Sequence, residues 1–268
     1  MPSSYADMNN EQLRLNAQEG DVEAAFLLGK RLLAVRGSAM EGVEYLKEAA
    51  KKRHLQACEI LGSTFLYGEG GVPQDKRQAM VYYEQAQALG SVTARTRLID
   101  LYLDSEDKAE RGLQLLTDAA DAGDRKAAAR AARLYLTGEV SGVDLERAAK
   151  YALISDDSAV LFETAEKLDL LGTNEALRDE MYQKLLAKDR EGAQLGISAC
   201  LALGELYRRG KGTKADGRSA ERLFLRAIEL EKQQVMSEPK AELMLAELYE
   251  KGAEGLPADH ESARRLLR

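Results

Sequence analysis

Apolar residues along this 268-residue chain recur at spacings of three and four, and the runs are broken by short clusters of Gly, Asp and Asn. That period gathers side chains on one face of an α-helix, so the pattern predicts a series of amphipathic helices separated by firm stops. Residues 61–90, LGSTFLYGEGGVPQDKRQAMVYYEQAQALG, show the unit: a helical pattern, a knot of glycines with a proline, then a second helical pattern.

Aligned against itself, the chain repeats. The unit Ala-x-x-x-Leu-Gly-x-Leu-Tyr occurs as AAFLLGKRL from Ala24, ACEILGSTF from Ala57, ARTRLIDLY from Ala94, AAARAARLY from Ala127, ACLALGELY from Ala199 and AELMLAELY from Ala241. A degenerate copy, VLFETAEKL from Val160, fills the gap, and successive starts lie 33 to 42 residues apart. Fixed periods of this length are the signature of stacked helical repeats. Each good copy is followed by a small residue three before a large pair: Gly42 with Tyr45 and Leu46, Ala79 with Tyr82 and Tyr83, Gly112 with Leu115 and Leu116. Ala148 with Tyr151, Ala220 with Leu223 and Phe224, and Ala263 with Leu266 and Leu267 continue the series. The expected fold is all-α, a right-handed α-solenoid of helix–turn–helix repeats with about seven helix pairs.

The stops have a mechanism. Gly68 and Gly70 follow the last apolar residues of a first helix, where a left-handed residue closes orphan carbonyls and Gly meets no Cβ clash. Asp75, Asp144, Asp216 and Asp259 each stand four residues before the small residue of a second helix, in place to cap its free N–H groups. Gly29, Gly62 and Gly204 within first helices fit close approach between helices. The motifs LGSTFLYGEGGVPQDKRQAMVYYEQAQALG and LGELYRRGKGTKADGRSAERLFLRA resemble the Sel-one-like repeat (SLR) branch of the tetratricopeptide superfamily. The resemblance runs from Asp21 to Arg268 and is strongest in the second, sixth and seventh copies; the links after Leu32 and Tyr102 lack the Gly-x-Gly turn.

The domain reading is a single array over residues 1–268, with residues 1–20 forming an N-terminal capping helix and 155–197 a degenerate repeat. The loosened stretch reads either as a divergent repeat with altered helix lengths or as a hinge or partner-docking insertion, its SDDSA and LGTNEA runs offering Asp or Asn caps. Arg268 follows Leu267 at once where other second helices run on, so the chain is expected to be part of a longer protein.

Composition narrows the function. Four prolines and no tryptophan agree with helix nearly throughout, and a net charge of −7 opposes binding to a phosphate backbone, so no nucleic-acid partner is expected. No segment has the roughly 18 to 20 uninterrupted apolar residues of a membrane span. The cysteines, Cys58 in the second copy and Cys200 in the sixth, are too far apart in a stacked array to bridge and read as small core residues. Of the two histidines, His54 falls where the family places His in the turn before a helix, and His260 sits beside the Asp259 cap. No metal-ligand spacing occurs, the Gly68–Gly71 run lacks the strand and the Lys-Ser/Thr of a phosphate loop, and no carboxylate pair stands out for acid catalysis. Tyr82 and Tyr83 read as core aromatics. No enzyme activity, cofactor or metal is expected.

What remains is surface. By analogy with tetratricopeptide arrays the first helices line a concave face, and the sixth residue after each leading position should point into it: Lys30, Ser63, Asp100, Arg133, Glu166, Glu205 and Glu247. Four residues further on stand Tyr67, Asp104, Thr137, Arg209 and Lys251. The candidate partner face is Lys30, Ser63, Tyr67, Asp100, Arg133, Glu166, Glu205, Arg209 and Glu247, against the plainer reading of a solvated surface. Its acidic end implies a protein partner with basic residues opposite the C-terminal repeats. The resemblance implies a scaffold or adaptor in a bacterial cell envelope, periplasmic or outer-membrane-associated, such as exopolysaccharide secretion. The alternative it leaves is a cytoplasmic or secreted regulator that binds a host or signalling protein.

Overall fold

A computed structural model describes residues 5–191, 194–233 and 240–267. Among these residues lie fifteen α-helices and no β-strand. A leading helix, α1 (Asn10–Gln18), occupies the segment read as a cap, and seven pairs follow. They are α2 (Val22–Leu33) with α3 (Ala39–Lys51), α4 (Leu55–Tyr67) with α5 (Lys76–Ala88), α6 (Val92–Leu103) with α7 (Ala109–Asp121), and α8 (Arg125–Thr137) with α9 (Leu145–Ser155). The series ends with α10 (Ser158–Leu171) and α11 (Glu175–Arg190), α12 (Ile197–Arg209) and α13 (Gly217–Glu231), and α14 (Lys240–Lys251) and α15 (His260–Leu266). The chain divides into two compact units, Met1–Leu115 and Leu116–Arg268.

The caps fall where the sequence places them. Asp75, Asp144, Asp216 and Asp259 each accept backbone N–H groups at the start of α5, α9, α13 and α15. At each of these turns the N–H of the capping Asp also donates back to an aromatic residue of the first helix, to the carbonyls of Phe65, Tyr135, Tyr207 and Tyr249 at 2.7 to 2.9 Å. His54 plays the same part for α4: its Nδ1 accepts the Ala57 N–H at 3.2 Å while the ring stacks on Phe26, 4.3 Å between centroids. Asp157 caps α10 through the Val160 N–H. Asn174 does not cap α11; it is left-handed at φ 51° and its side chain makes no cap bond.

The small residues let the helices meet. A Cβ on Gly29 would lie 2.8 Å from the Gly42 carbonyl oxygen, and one on Gly42 would lie 2.7 Å from that of Gly29, so α2 and α3 cross backbone to backbone. A Cβ on Gly62 would lie 2.6 Å from the Tyr83 ring, and one on Gly204 would enter the Phe224 ring. Burying a ring of that size is worth about 2 to 3 kcal/mol, which outweighs the roughly 1 kcal/mol that Gly costs a helix interior. In the Gly-x-Gly turns the two glycines do different work. Gly68 and Gly210 supply the left-handed C-cap, at φ 71° and 68°. Gly70 and Gly212 make room for the preceding repeat, where a Cβ would lie 2.8 Å from Ala39 Cβ and 2.9 Å from Tyr182 Cβ.

Each unit has its own core. In the first, Val43, Leu46, Cys58, Leu61, Tyr83, Leu98 and Tyr102 form one buried cluster, with Leu13, Leu28 and Leu32 closing the α1 end. In the second, Leu161, Leu168, Met181, Tyr182, Leu185, Cys200 and Phe224 are fully or almost fully buried. Burial raises both cysteine thiols above their ordinary pKa, which suits inert packing residues. Tyr83 is buried as a core aromatic and its hydroxyl is pushed up to about 12 by burial, whereas Tyr82 is half-buried and stacks on Phe65.

Candidate interaction face

Of the expected partner face, the first unit holds Lys30, Ser63, Tyr67 and Asp100. Lys30 and Asp100 are exposed, Tyr67 keeps 57% of its surface, and half-buried Ser63 donates its hydroxyl to the Ile60 carbonyl at 3.0 Å. Lys30, Tyr67 and Asp100 thus face solvent, and Ser63 does so only in part.

The second unit treats its members differently. Arg133 is exposed, with its guanidinium 3.8 Å from Glu163. Glu247 is exposed, 3.9 Å from Lys251 one turn on. Glu205 departs from the expectation of a solvent-facing row: it is only 5% exposed. Its carboxylate accepts two bonds from the Arg208 guanidinium, at 2.8 and 2.7 Å, and pairs with Arg209 at 2.7 Å. Position alone could not distinguish a polar residue facing water from one buried under its own ion pairs. Arg209 also reaches across to Glu166 on α10 at 2.8 Å, so Glu166, Arg209 and Glu205 join into one network.

Glu166 accepts three hydrogen bonds. Besides Arg209 it accepts from Lys211 and, at 2.9 Å, from the Tyr182 hydroxyl, which burial and this bond hold well above its ordinary pKa. Lys211 lies in the turn after α12 and also pairs with Asp169 at 2.9 Å; its hydrogen bond holds the Asp169 carboxyl below the usual carboxylate range. Arg178 completes the cluster from α11, 3.1 Å from Asp169. The negative charges that implied a basic partner at Glu166 and Glu205 are therefore neutralised inside the protein.

Beside this network a groove of about 770 Å3 opens between α8 and α10, lined by Leu136, Thr137, Val143, Phe162, Glu163, Glu166, Lys167 and Leu170. Val143, in the turn after α8, is 57% exposed and Leu170, on α10, is 79% exposed, and the two line the same groove. The row that gives Tyr67, Asp104, Thr137, Arg209 and Lys251 gives Leu170 when counted from Val160 in the degenerate copy, so the signal lay in the sequence. Among the described residues no group of three or more His, Cys, Asp or Glu could hold a metal ion, and no helix is long and apolar enough to cross a membrane.

The Sel1 repeat profile matches residues 22–54, 55–91, 125–155, 197–231 and 239–268. The two stretches between these matches hold α6 with α7 and α10 with α11. Comparison with curated proteins finds no match. Among solved structures, a Sel1 repeat protein from Oxalobacter formigenes aligns with a TM-score of 0.67 at 20% identity, over 96% of this chain and 84% of that one. The c5321 protein, a protective antigen present in uropathogenic Escherichia coli strains that displays an SLR fold, aligns with a TM-score of 0.58 at 22% identity over 96% of this chain. This chain spans 55% of that protein's length. At such identities the likeness concerns the fold, an all-α repeat of the α-solenoid class.

Proposed function

Because this chain belongs to the Sel1 repeat family, whose profile matches more than half of it, we propose that it is a non-catalytic scaffold that holds another protein along the face of its first helices. Sel1 repeats generally mediate protein–protein interaction. The observation that carries the reading is the open apolar groove between α8 and α10, where Leu170 and Val143 stand in solvent among charged neighbours. Exposed apolar groups gathered at a concavity gain free energy only when something covers them.

In the first unit the proposed contacts are Lys30, Ser63, Tyr67 and Asp100, with Tyr67 as the anchor, since Tyr offers large area at low entropic cost. In the second, Arg133, Arg209 and Glu247 would meet the partner, while Glu166 and Glu205 hold Arg209 in place. A bacterial cell-envelope complex, of which exopolysaccharide secretion is one example, is the proposed setting and rests on the family resemblance.

Affinity capture from the native host tests this, comparing the wild-type chain with Leu170→Asp. The expected result is one protein retained in stoichiometric amount by wild type and lost with the variant. Retention of no protein under mild conditions would refute the scaffold reading.

A further inference from the structure

The α8–α10 groove contains information about what fills it. The groove is lined by the last turn of α8, by Val143 in the turn that follows and by α10, with no strand edge among them, so side chains carry most of the recognition. Leu136, Val143, Phe162 and Leu170 supply the apolar floor and lip. Three charged residues line it. Glu163 has Arg133 at 3.8 Å, and Glu166 is hydrogen-bonded by Arg209, Lys211 and Tyr182. Lys167, exposed on α10, has no partner among the described residues.

The charge left over in the groove is thus a single cation beside an apolar surface. We propose that this groove takes an extended peptide segment of the partner protein that presents two large apolar side chains to Leu136, Val143, Phe162 and Leu170 and a carboxylate to Lys167. This deepens the scaffold reading and rests on it. A basic segment would meet Lys167, would find Glu166 already hydrogen-bonded and would share the exposed Glu163 with Arg133. An acidic one gains a charge-assisted hydrogen bond at the rim, while the apolar side chains supply most of the affinity.

The test is selection of a random-peptide phage library on the full 268-residue chain, followed by titration of the winning synthetic peptide. Selected sequences should carry Asp or Glu beside two large apolar residues. Affinity should fall roughly tenfold or more for Leu170→Asp and for Lys167→Glu, and should not change for Leu225→Asp on α13. All three side chains are exposed, so the variants should keep the wild-type melting profile. Selection of basic rather than acidic sequences would overturn the proposal. Peptides that bind both groove variants as tightly as wild type would also overturn it but leave the scaffold reading standing. Recovery of no binding sequence would count against both.

Discussion

The pair α12–α13 and the pair α10–α11 are neighbours in one unit, yet they are held together by different chemistry. In the first, Gly204 admits the Phe224 ring, Ala220 is fully buried, and Asp216 caps α13 through the Arg218 and Ser219 N–H groups. In the second, the position of Ala220, four residues beyond the cap, is taken by Arg178, and the cap by a left-handed Asn174 with no side-chain bond. The large pair survives as Met181 and Tyr182, both buried, so the core continues. What replaces the small residue is an ion-pair cluster, Arg178 and Lys211 on Asp169 and Arg209 and Lys211 on Glu166. A helix pair can therefore lack the Asp cap and the small residue of its neighbour and still keep a buried core. Leu170 projects from the end of α10, next to the anchored Asp169.

The largest expected effect is at the network that joins the two pairs. Glu205→Lys would bury a third cation against Arg208 and Arg209, and removing one partner of a buried ion pair costs about 3 kcal/mol or more. Urea melts should show it; a loss below about 0.5 kcal/mol would mean that Glu205 is a surface residue after all. Next comes the matched pair of small-residue positions. Ala220→Leu should cost about 2 kcal/mol by overpacking. Arg178→Leu should cost less than about 1 kcal/mol, because that site already holds a long side chain and loses partly exposed ion pairs. Equal losses would erase the contrast between the pairs.

Capping gives a smaller difference. Asp216→Ala should lose about 1 kcal/mol with its two backbone bonds, whereas Asn174→Gly should stay within about 0.5 kcal/mol of wild type, since it removes no cap bond and keeps the left-handed residue. The smallest effect is a pH dependence. The Asp169 carboxyl is held below its ordinary pKa, first by Lys211 and also by Arg178. Its stabilising share is therefore present above the unfolded carboxylate value of about 4 and is lost as pH falls through the folded value. Asp169→Asn should be less stable than wild type at pH 7, and the gap should close below about pH 4.

Much of the fold was legible because the repeat code is local. Asp75, Asp144, Asp216 and Asp259 act through neighbours two and three residues away, and Gly68 through its own backbone, so sequence spacing alone locates them. The second glycine of the Gly-x-Gly turn was read as part of the same C-cap, yet Gly70 and Gly212 act on the preceding repeat. The polar row was less legible for the same reason. Glu166 looks like a solvent position until Arg209 and Lys211, 43 and 45 residues away, fold over it, whereas Glu205 pairs with Arg208 and Arg209 only three and four residues on, a local spacing that went unused. Leu170 went unread because its copy is degenerate, although its register was fixed by Val160.

The central claim is that the partner lies on the first-helix face at the α10 groove. Site-specific photo-crosslinking in native host cells tests it most directly, with a photoreactive phenylalanine analogue placed at Leu170 in one strain and at Leu225 on α13 in another. Both positions are exposed, at 79% and 45%, so either can carry the probe without disturbing the core. The account predicts one discrete crosslinked protein from position 170 and none from position 225. A discrete product from position 225 alone, or from neither, would contradict it.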